Sequence, residues 1–187
     1  WDAAELRSIA TLHRELLAAD KKPDGHIERS VSRVEAWIQL LEGDVAGLEA
    51  IGKRIYAEGA SAQDASLVID ATLLRAMAAL TKRDADDAKA LARRASRMAR
   101  TEGLRPERYL ASIVLARVRR RGARPHLATR ILSAIIPIAP PRWQGWLRWE
   151  RLLAGWRPGV SSSACEVREA LALAPAPPSP GAVFGWV

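Results

Sequence analysis

Apolar and small residues recur along this chain at the spacing of one helix face, and the same grouping returns about every 40 residues. Four positions begin the groups, and the residues three, four and seven places later are again mostly apolar or small. The four positions are Leu48, Ala88, Ala128 and Ala170, separated by 40, 40 and 42 residues. Such spacing forms the buried stripe of an amphipathic helix. A period in this range is typical of stacked helical hairpins, in which neighbouring units cover each other's apolar faces.

Residues that favour turns divide the chain into helices. The pattern predicts a first helix from Asp2, with an apolar stripe that includes Leu6, Ala10 and Leu12, ended by the segment 21–25. Further helices are predicted over about 27–42, 45–58, 62–81, 85–101 and 106–121, then from Pro125, over 140–153 and from Ser163. In this scheme Gly59 and Ala60 close the third helix.

These elements predict an all-α fold, namely a right-handed α-solenoid of stacked antiparallel helical hairpins with about eight or nine helices. The abundance of Ala, Leu and Arg agrees with this prediction, because these residues are good helix formers. Three regions are expected: an N-terminal helix and linker over 1–25, a helical-repeat domain over 26–174, and a Pro-rich tail over 175–187.

A turn glycine, small and apolar helix positions and a boundary proline follow one another in the third hairpin: Gly122, Ala128, Leu132, Ile135 and Pro140. This arrangement is similar to the tetratricopeptide repeat, and the similarity extends over roughly residues 27–174. Units of about 40 residues resemble the helical-repeat sensor regions of bacterial transcription regulators of the MalT type. The resemblance implies a role in protein interaction or effector sensing, without catalysis.

Charge is distributed unevenly along the chain, whose formal net charge is +8. Residues 1–81 contain 9 basic and 13 acidic residues, whereas residues 82–130 contain 15 basic and 5 acidic ones. A basic region of this kind attracts nucleic acid, anionic lipid or an acidic protein segment. The alternative is that its arginines are solvated helix faces. Arg93, Arg97 and Arg100, for example, form a ridge opposite the small residues of their helix, where we expect solvent.

Two groups of side chains are candidate binding surfaces. In a solenoid the first helices of successive hairpins line a groove, and there four arginines are candidates for binding an acidic ligand: Arg117, Arg120, Arg148 and Arg151. The competing interpretation is structural, because cations at a helix C-terminus interact favourably with the helix dipole. The second group is a tryptophan cluster, which forms either a docking patch or the interface between the third and fourth hairpins: Trp143, Trp146, Trp149 and Trp156.

No signature of catalysis or cofactor binding accompanies the repeat. His13, His26 and His126 are far apart and lack further ligands at suitable spacing, so no metal site is predicted. The serines at 161–163 before Cys165 fit a helix cap, and no phosphate-binding or hydrolase motif is present. The single cysteine suits a reducing compartment, and no run of 18 apolar residues indicates a membrane span.

The sequence thus predicts a non-catalytic scaffold or regulatory module of a larger bacterial signalling or transcription-regulatory protein. Because the chain begins with Trp1, we expect neighbouring domains in a longer parent chain. The expected partner is a protein or an acidic peptide segment, the expected location is the cytoplasm, and no cofactor, metal or membrane contact is expected. Two alternatives stay open: a nucleic-acid-binding domain that uses residues 82–130, and a small-ligand sensor with a pocket near the tryptophans.

Overall fold

A computed structural model describes residues 3–19 and 25–155 of the chain, and these residues form helices joined by short turns. There is no β-strand in these two ranges. The helices are α1 (Ala3–Ala19), α2 (Gly25–Glu42), α3 (Val45–Ser61), α4 (Ala65–Thr81), α5 (Ala85–Thr101), α6 (Arg105–Arg121), α7 (Pro125–Ile135) and α8 (Pro141–Gly155), with a 3-10 turn at Ile136–Ile138 between the last two.

The turns between helices follow a strict register. Each of α3 to α6 has 17 residues and is followed by three turn residues, so the 40-residue period of the sequence consists of two 20-residue units. One residue in each turn has a positive φ, and these residues stand 20 apart: Gly43, Gln63, Arg83, Gly103 and Ala123. The residue after each one donates its N–H to the carbonyl of the residue five positions earlier, as Asp84 does to Ala79 at 2.9 Å. This closes each helix with a Schellman-type turn.

The residue after the positive-φ position often begins the next helix. Asp44, Asp64 and Asp84 each accept a hydrogen bond from a backbone N–H three residues later, at 2.9, 3.1 and 3.1 Å. An N-cap of this kind contributes about 1 kcal/mol to stability. The helices α6 and α7 begin instead with Pro106 and Pro125 in their first turn, as the sequence predicts.

Consecutive helices pack against one another along the chain, and α6 also contacts α4 and α8. Because turns of two or three residues join the helices from α2 to α7, these neighbours run antiparallel. We call the surface formed by α2, α4, α6 and α8 the even-helix face. The all-α fold of stacked antiparallel helical hairpins is confirmed, with eight helices in the described part of the chain.

The repeated small-residue positions are the core of this stack. Leu48, Ala88 and Ala128 are fully buried, and so are the residues four and seven places after each of them. The helix α4 is well enclosed, since none of its residues from 65 to 80 is exposed. The fourth repeated position, Ala170, lies outside the described residues.

Two details of the helix prediction are wrong. Gly59 does not end α3, which continues to Ser61. A Cβ atom at Gly59 would lie 2.8 Å from Cβ of Leu67 and 3.0 Å from N of Val68, so this glycine permits the close approach of α3 and α4. Leu12 does not face the core either. It is 57% exposed, whereas α1 packs on α2 through positions such as Leu6 and Ala10.

Candidate functional site

Polar side chains from three helices meet on the even-helix face. Arg33 of α2 forms an ion pair with Asp70 of α4, with Nε 2.6 Å from Oδ2. The same guanidinium donates a hydrogen bond to Oγ of Ser66 at 2.8 Å, and Ser66 in turn donates to Oε1 of Glu107 on α6 at 2.6 Å. This chain of contacts, which we call the Arg33 network, links α2, α4 and α6.

The Arg33 network contains a carboxyl group with a shifted pKa. Burial raises the pKa of Asp70 to about 6, although the nearby Arg33 guanidinium acts in the opposite direction; the carboxylates of Glu107 and Asp64 raise it further. The group therefore titrates just below neutral pH.

A small cavity of about 40 Å³ lies beside the network. It is lined by Arg33, Trp37, Asp70, Leu73, Leu74, Met77 and Leu110. Sites for small organic ligands are usually about 300–1,000 Å³, whereas a cavity of this size accommodates a few water molecules at most. It therefore gives no support to the small-ligand sensor.

The predicted groove arginines lie on α6 and α8. Arg117 is buried, and its Nε donates to Oε1 of Glu150 on α8 at 2.9 Å. Burial lowers the pKa of Arg120, and the nearby charges of Glu150 and Arg117 act on the same group in opposite directions. Arg148 and Arg151 on α8 are half-buried. The structure thus gives Arg117 an internal partner that the sequence did not indicate, while ligand binding by the four arginines stays a prediction.

The competing structural interpretation also has support at the end of α6. Arg119, Arg120 and Arg121 lie in its last turn, as expected. Arg121 donates from Nη1 to the carbonyl oxygen of Leu80 at 2.7 Å, and so binds the C-terminal end of the neighbouring helix α4. The same carbonyl also accepts the N–H of Arg83 at 3.2 Å. The Arg121 guanidinium therefore adds a contact at the C-terminal end of α4, where a cation interacts favourably with the helix dipole.

Three of the four clustered tryptophans lie on the described part of α8. The rings of Trp143 and Trp146 stack with centroids 5.8 Å apart, and Tyr109 of α6 lies 5.5 Å from Trp143. Both tryptophans pack against the core formed by α6, α7 and α8, and Trp149 is half-buried. These contacts agree with the interface interpretation for two of the rings. Trp156 lies outside the described residues, and the docking patch stays a prediction.

The other candidates from the sequence are possible metal ligands, the serines before Cys165 and possible membrane spans. Within residues 3–19 and 25–155, no three His, Cys, Asp or Glu side chains are grouped closely enough to hold a metal ion. His126 is exposed, and the segment 161–165 with its serines and Cys165 lies outside the described residues. None of the helices in the described ranges is both long and apolar enough to cross a membrane.

The sequence reasoning did not find the Arg33 network. Its members are separated by 33 to 41 residues, a distance at which no local motif exists. One signal was available: Ser66 and Glu107 are 41 residues apart, close to the repeat period, so both lie near the start of neighbouring even-numbered helices.

No protein-family model, curated protein or solved structure matches this chain. The similarity to tetratricopeptide repeats therefore depends on the residue pattern alone. The geometry of the described residues has to carry any functional argument.

Proposed function

We propose that this chain is a non-catalytic protein-interaction module of a larger bacterial signalling or transcription-regulatory protein, and that it binds an acidic segment of a partner on the even-helix face. The observation that carries this proposal is an excess of positive charge where α6 meets α8. These two helices contain Arg117, Arg120, Arg148 and Arg151, and the carboxylate of Glu150 pairs with Arg117.

The charge balance explains why an acidic partner fits. Arg117 and Glu150 neutralise each other in a buried ion pair, and the same two helices also carry Arg120, Arg148 and Arg151. These three groups are partly removed from water, and burial already lowers the pKa of Arg120. A carboxylate that approaches them offsets this desolvation and accepts charge-assisted hydrogen bonds, which are about twice as strong as neutral ones.

The stacking of helices supports the same conclusion. Even-numbered helices lie side by side from α4 to α8, so their half-buried side chains form a continuous surface that an extended segment can follow. Repeat proteins commonly bind partners on such surfaces, and the resemblance to tetratricopeptide repeats points to the same use.

Binding of an acidic peptide tests this proposal. The probe is a short fluorescein-labelled peptide of alternating glutamate and leucine, titrated with the full chain and followed by anisotropy. We expect Arg148→Glu/Arg151→Glu to weaken binding about tenfold or more, because two charge-assisted contacts are reversed. Arg117 is kept unchanged, because it is buried and its loss would disturb the fold.

The matched control is Arg97→Glu/Arg100→Glu, which makes the same change in net charge on exposed positions of α5. We expect this control to bind the peptide nearly as well as the original chain. If both variants lose affinity equally, the peptide senses only net charge and the proposed site is wrong. Equal affinity for the original chain and Arg148→Glu/Arg151→Glu would contradict the proposal as directly.

A further inference from the structure

A second concentration of positive charge lies on α5, away from the even-helix face. Arg93, Arg97 and Arg100 are exposed on the side of α5 opposite its buried residues. We call these three residues the α5 arginine ridge. It is independent of the arginines on α6 and α8 that the proposed function uses.

The ridge has no acidic residue at ion-pair distance in the part of the chain that the structure describes. From position 88 to position 101 the sequence of α5 contains no Asp or Glu, so none of the three arginines has an acidic neighbour three or four residues away. Among the described residues none of them forms an ion pair. The acidic residues of this helix, Asp86 and Asp87, stand in its first turn, where Asp86 pairs with Lys89 at 3.3 Å.

The neighbouring residue Arg94, in contrast, has a structural role on α5 through its contacts with Tyr56. Its Nη2 donates to the hydroxyl oxygen of Tyr56 at 2.9 Å, and its guanidinium lies 5.8 Å from the centre of that ring. It thereby links α5 to α3. Within residues 3–19 and 25–155 the side chains of the ridge make no comparable contact. Their like charges at spacings of three and four residues destabilise the helix.

The positive surface continues beyond α5. The charges of Arg93 and Arg124 both act on Arg119 of α6 and lower its pKa, in addition to the larger effect of burial. The ridge, the end of α6 and the start of α7 are therefore close enough to repel one another. A concentration of repelling cations is stabilised by a bound polyanion.

The form of the surface selects the kind of polyanion. The ridge is a straight row along about 10 Å of helix, with neighbouring charges about 5 Å apart along the axis. Helix α5 has no aromatic residue, and the exposed large apolar side chains of the described residues, Leu12 and Ile138, lie on other elements. Single-stranded nucleic acids use aromatic rings for base stacking, and peptides use pockets for side chains. A duplex backbone needs only a row of cations.

We infer that the α5 arginine ridge, together with Arg119 and Arg124, binds the phosphate backbone of a double-stranded nucleic acid. Contact is made by guanidinium groups with phosphate oxygens, without reading of the base sequence. The even-helix face then stays available for a protein partner, so the chain bridges the two ligands.

A salt titration tests this inference. The full chain is titrated against fluorescein-labelled duplexes of about 20 base pairs, one of DNA and one of RNA, at several salt concentrations from about 50 to about 200 mM. We expect binding of at least one duplex that weakens steeply as salt rises. In Arg97→Gln/Arg100→Gln the slope of log affinity against log salt should become shallower by about 2, because two phosphate contacts are lost.

The matched control is Arg148→Gln/Arg151→Gln, which removes the same charge from α8 and should keep the original slope. Thermal unfolding of the ridge variant checks its fold, and its midpoint should equal or exceed that of the original chain because repulsion is relieved. Absence of duplex binding at the lowest salt overturns the inference. An equal change of the salt slope in the ridge variant and in the control also overturns it. The same holds if a polyglutamate peptide binds as tightly as the duplex and the ridge substitutions abolish that binding.

Discussion

The buried ion pair of Arg117 on α6 with Glu150 on α8 can be tested by substitution, with the residues 40 positions earlier as a guide. We consider Glu150→Leu, which leaves the Arg117 guanidinium without its carboxylate partner. The two side chains are only 10% and 2% exposed. For unit charges about 4 Å apart at an effective dielectric constant of about 20, the attraction is about 4 kcal/mol. Breaking a buried pair of this kind costs about 3–5 kcal/mol, and we expect a loss in that range.

The preceding hairpin supplies the compensating change. Forty residues earlier, the equivalent positions are Met77 and Leu110, and both line the small cavity on the even-helix face. The double variant Arg117→Met/Glu150→Leu installs this apolar pair in the next hairpin. Apolar pairs that replace a buried ion pair are often neutral or more stable by about 1–4 kcal/mol. We therefore expect the double variant to recover at least the stability of the original chain.

Urea unfolding at pH 7 measures these differences, with the slope against urea checked for constancy in each variant. The control is Lys82→Ala, which removes an exposed ion pair with Glu49 and should cost less than about 1 kcal/mol. A cost of less than about 1 kcal/mol for Glu150→Leu would show that the ion pair contributes little to stability. A double variant that is no more stable than Glu150→Leu alone would show that the two positions are not coupled. Either result contradicts the prediction.

Three further predictions concern the turns, the helix contacts and pH. At Ala123, where φ is 55°, substitution by Gly should raise the free energy of unfolding by about 0.5–1 kcal/mol, and Gly103→Ala should lower it by about 1 kcal/mol; urea unfolding of the two variants measures both. Gly59→Ala should cost about 1–3 kcal/mol, since the added Cβ would lie 2.8 Å from a side-chain carbon of α4. In the control Gly155→Ala the added Cβ atom would have no described atom within 4 Å, and this variant should be neutral in the same assay. The pKa of Asp70 is raised from 3.8 to about 6, so the folded chain holds this proton more tightly than the unfolded one. Stability from this group is therefore present at pH 4 and lost as pH rises towards 7, by up to about 3 kcal/mol, and Asp70→Asn should remove that contribution when unfolding is compared at the two pH values. A difference between the original chain and Asp70→Asn that does not change with pH would contradict this assignment.

Local pattern was sufficient for the helices and the core. The stripe positions Leu48, Ala88 and Ala128 were predicted to be buried from their spacing, and they are. Pro106 and Pro125 marked two helix starts correctly. These features depend on residues within one or two helical turns, where the backbone geometry is fixed and the sequence alone defines which side chains share a face.

The turn between α3 and α4 was misplaced because Gly59 was taken as its signal. Gly59 is a site of close helix contact, whereas Gln63 and Ala123 occupy positive-φ turn positions without being glycine. Tertiary packing decides whether a position lies at a helix contact, as Gly59 does, or in a turn, as Gln63 and Ala123 do. The stack requires a turn every 20 residues, and its stability outweighs the cost of about 1–2 kcal/mol for a non-glycine residue in that conformation.

The sequence by itself determined the helical class, the period and the faces that are buried. The tertiary structure decided which charges are paired. The ion pair of Arg117 with Glu150 and the Arg33 network join residues more than 30 positions apart, and no local motif connects such residues. A charge is neutralised by whatever side chain packing brings within a few ångströms, and this depends on how whole helices are stacked.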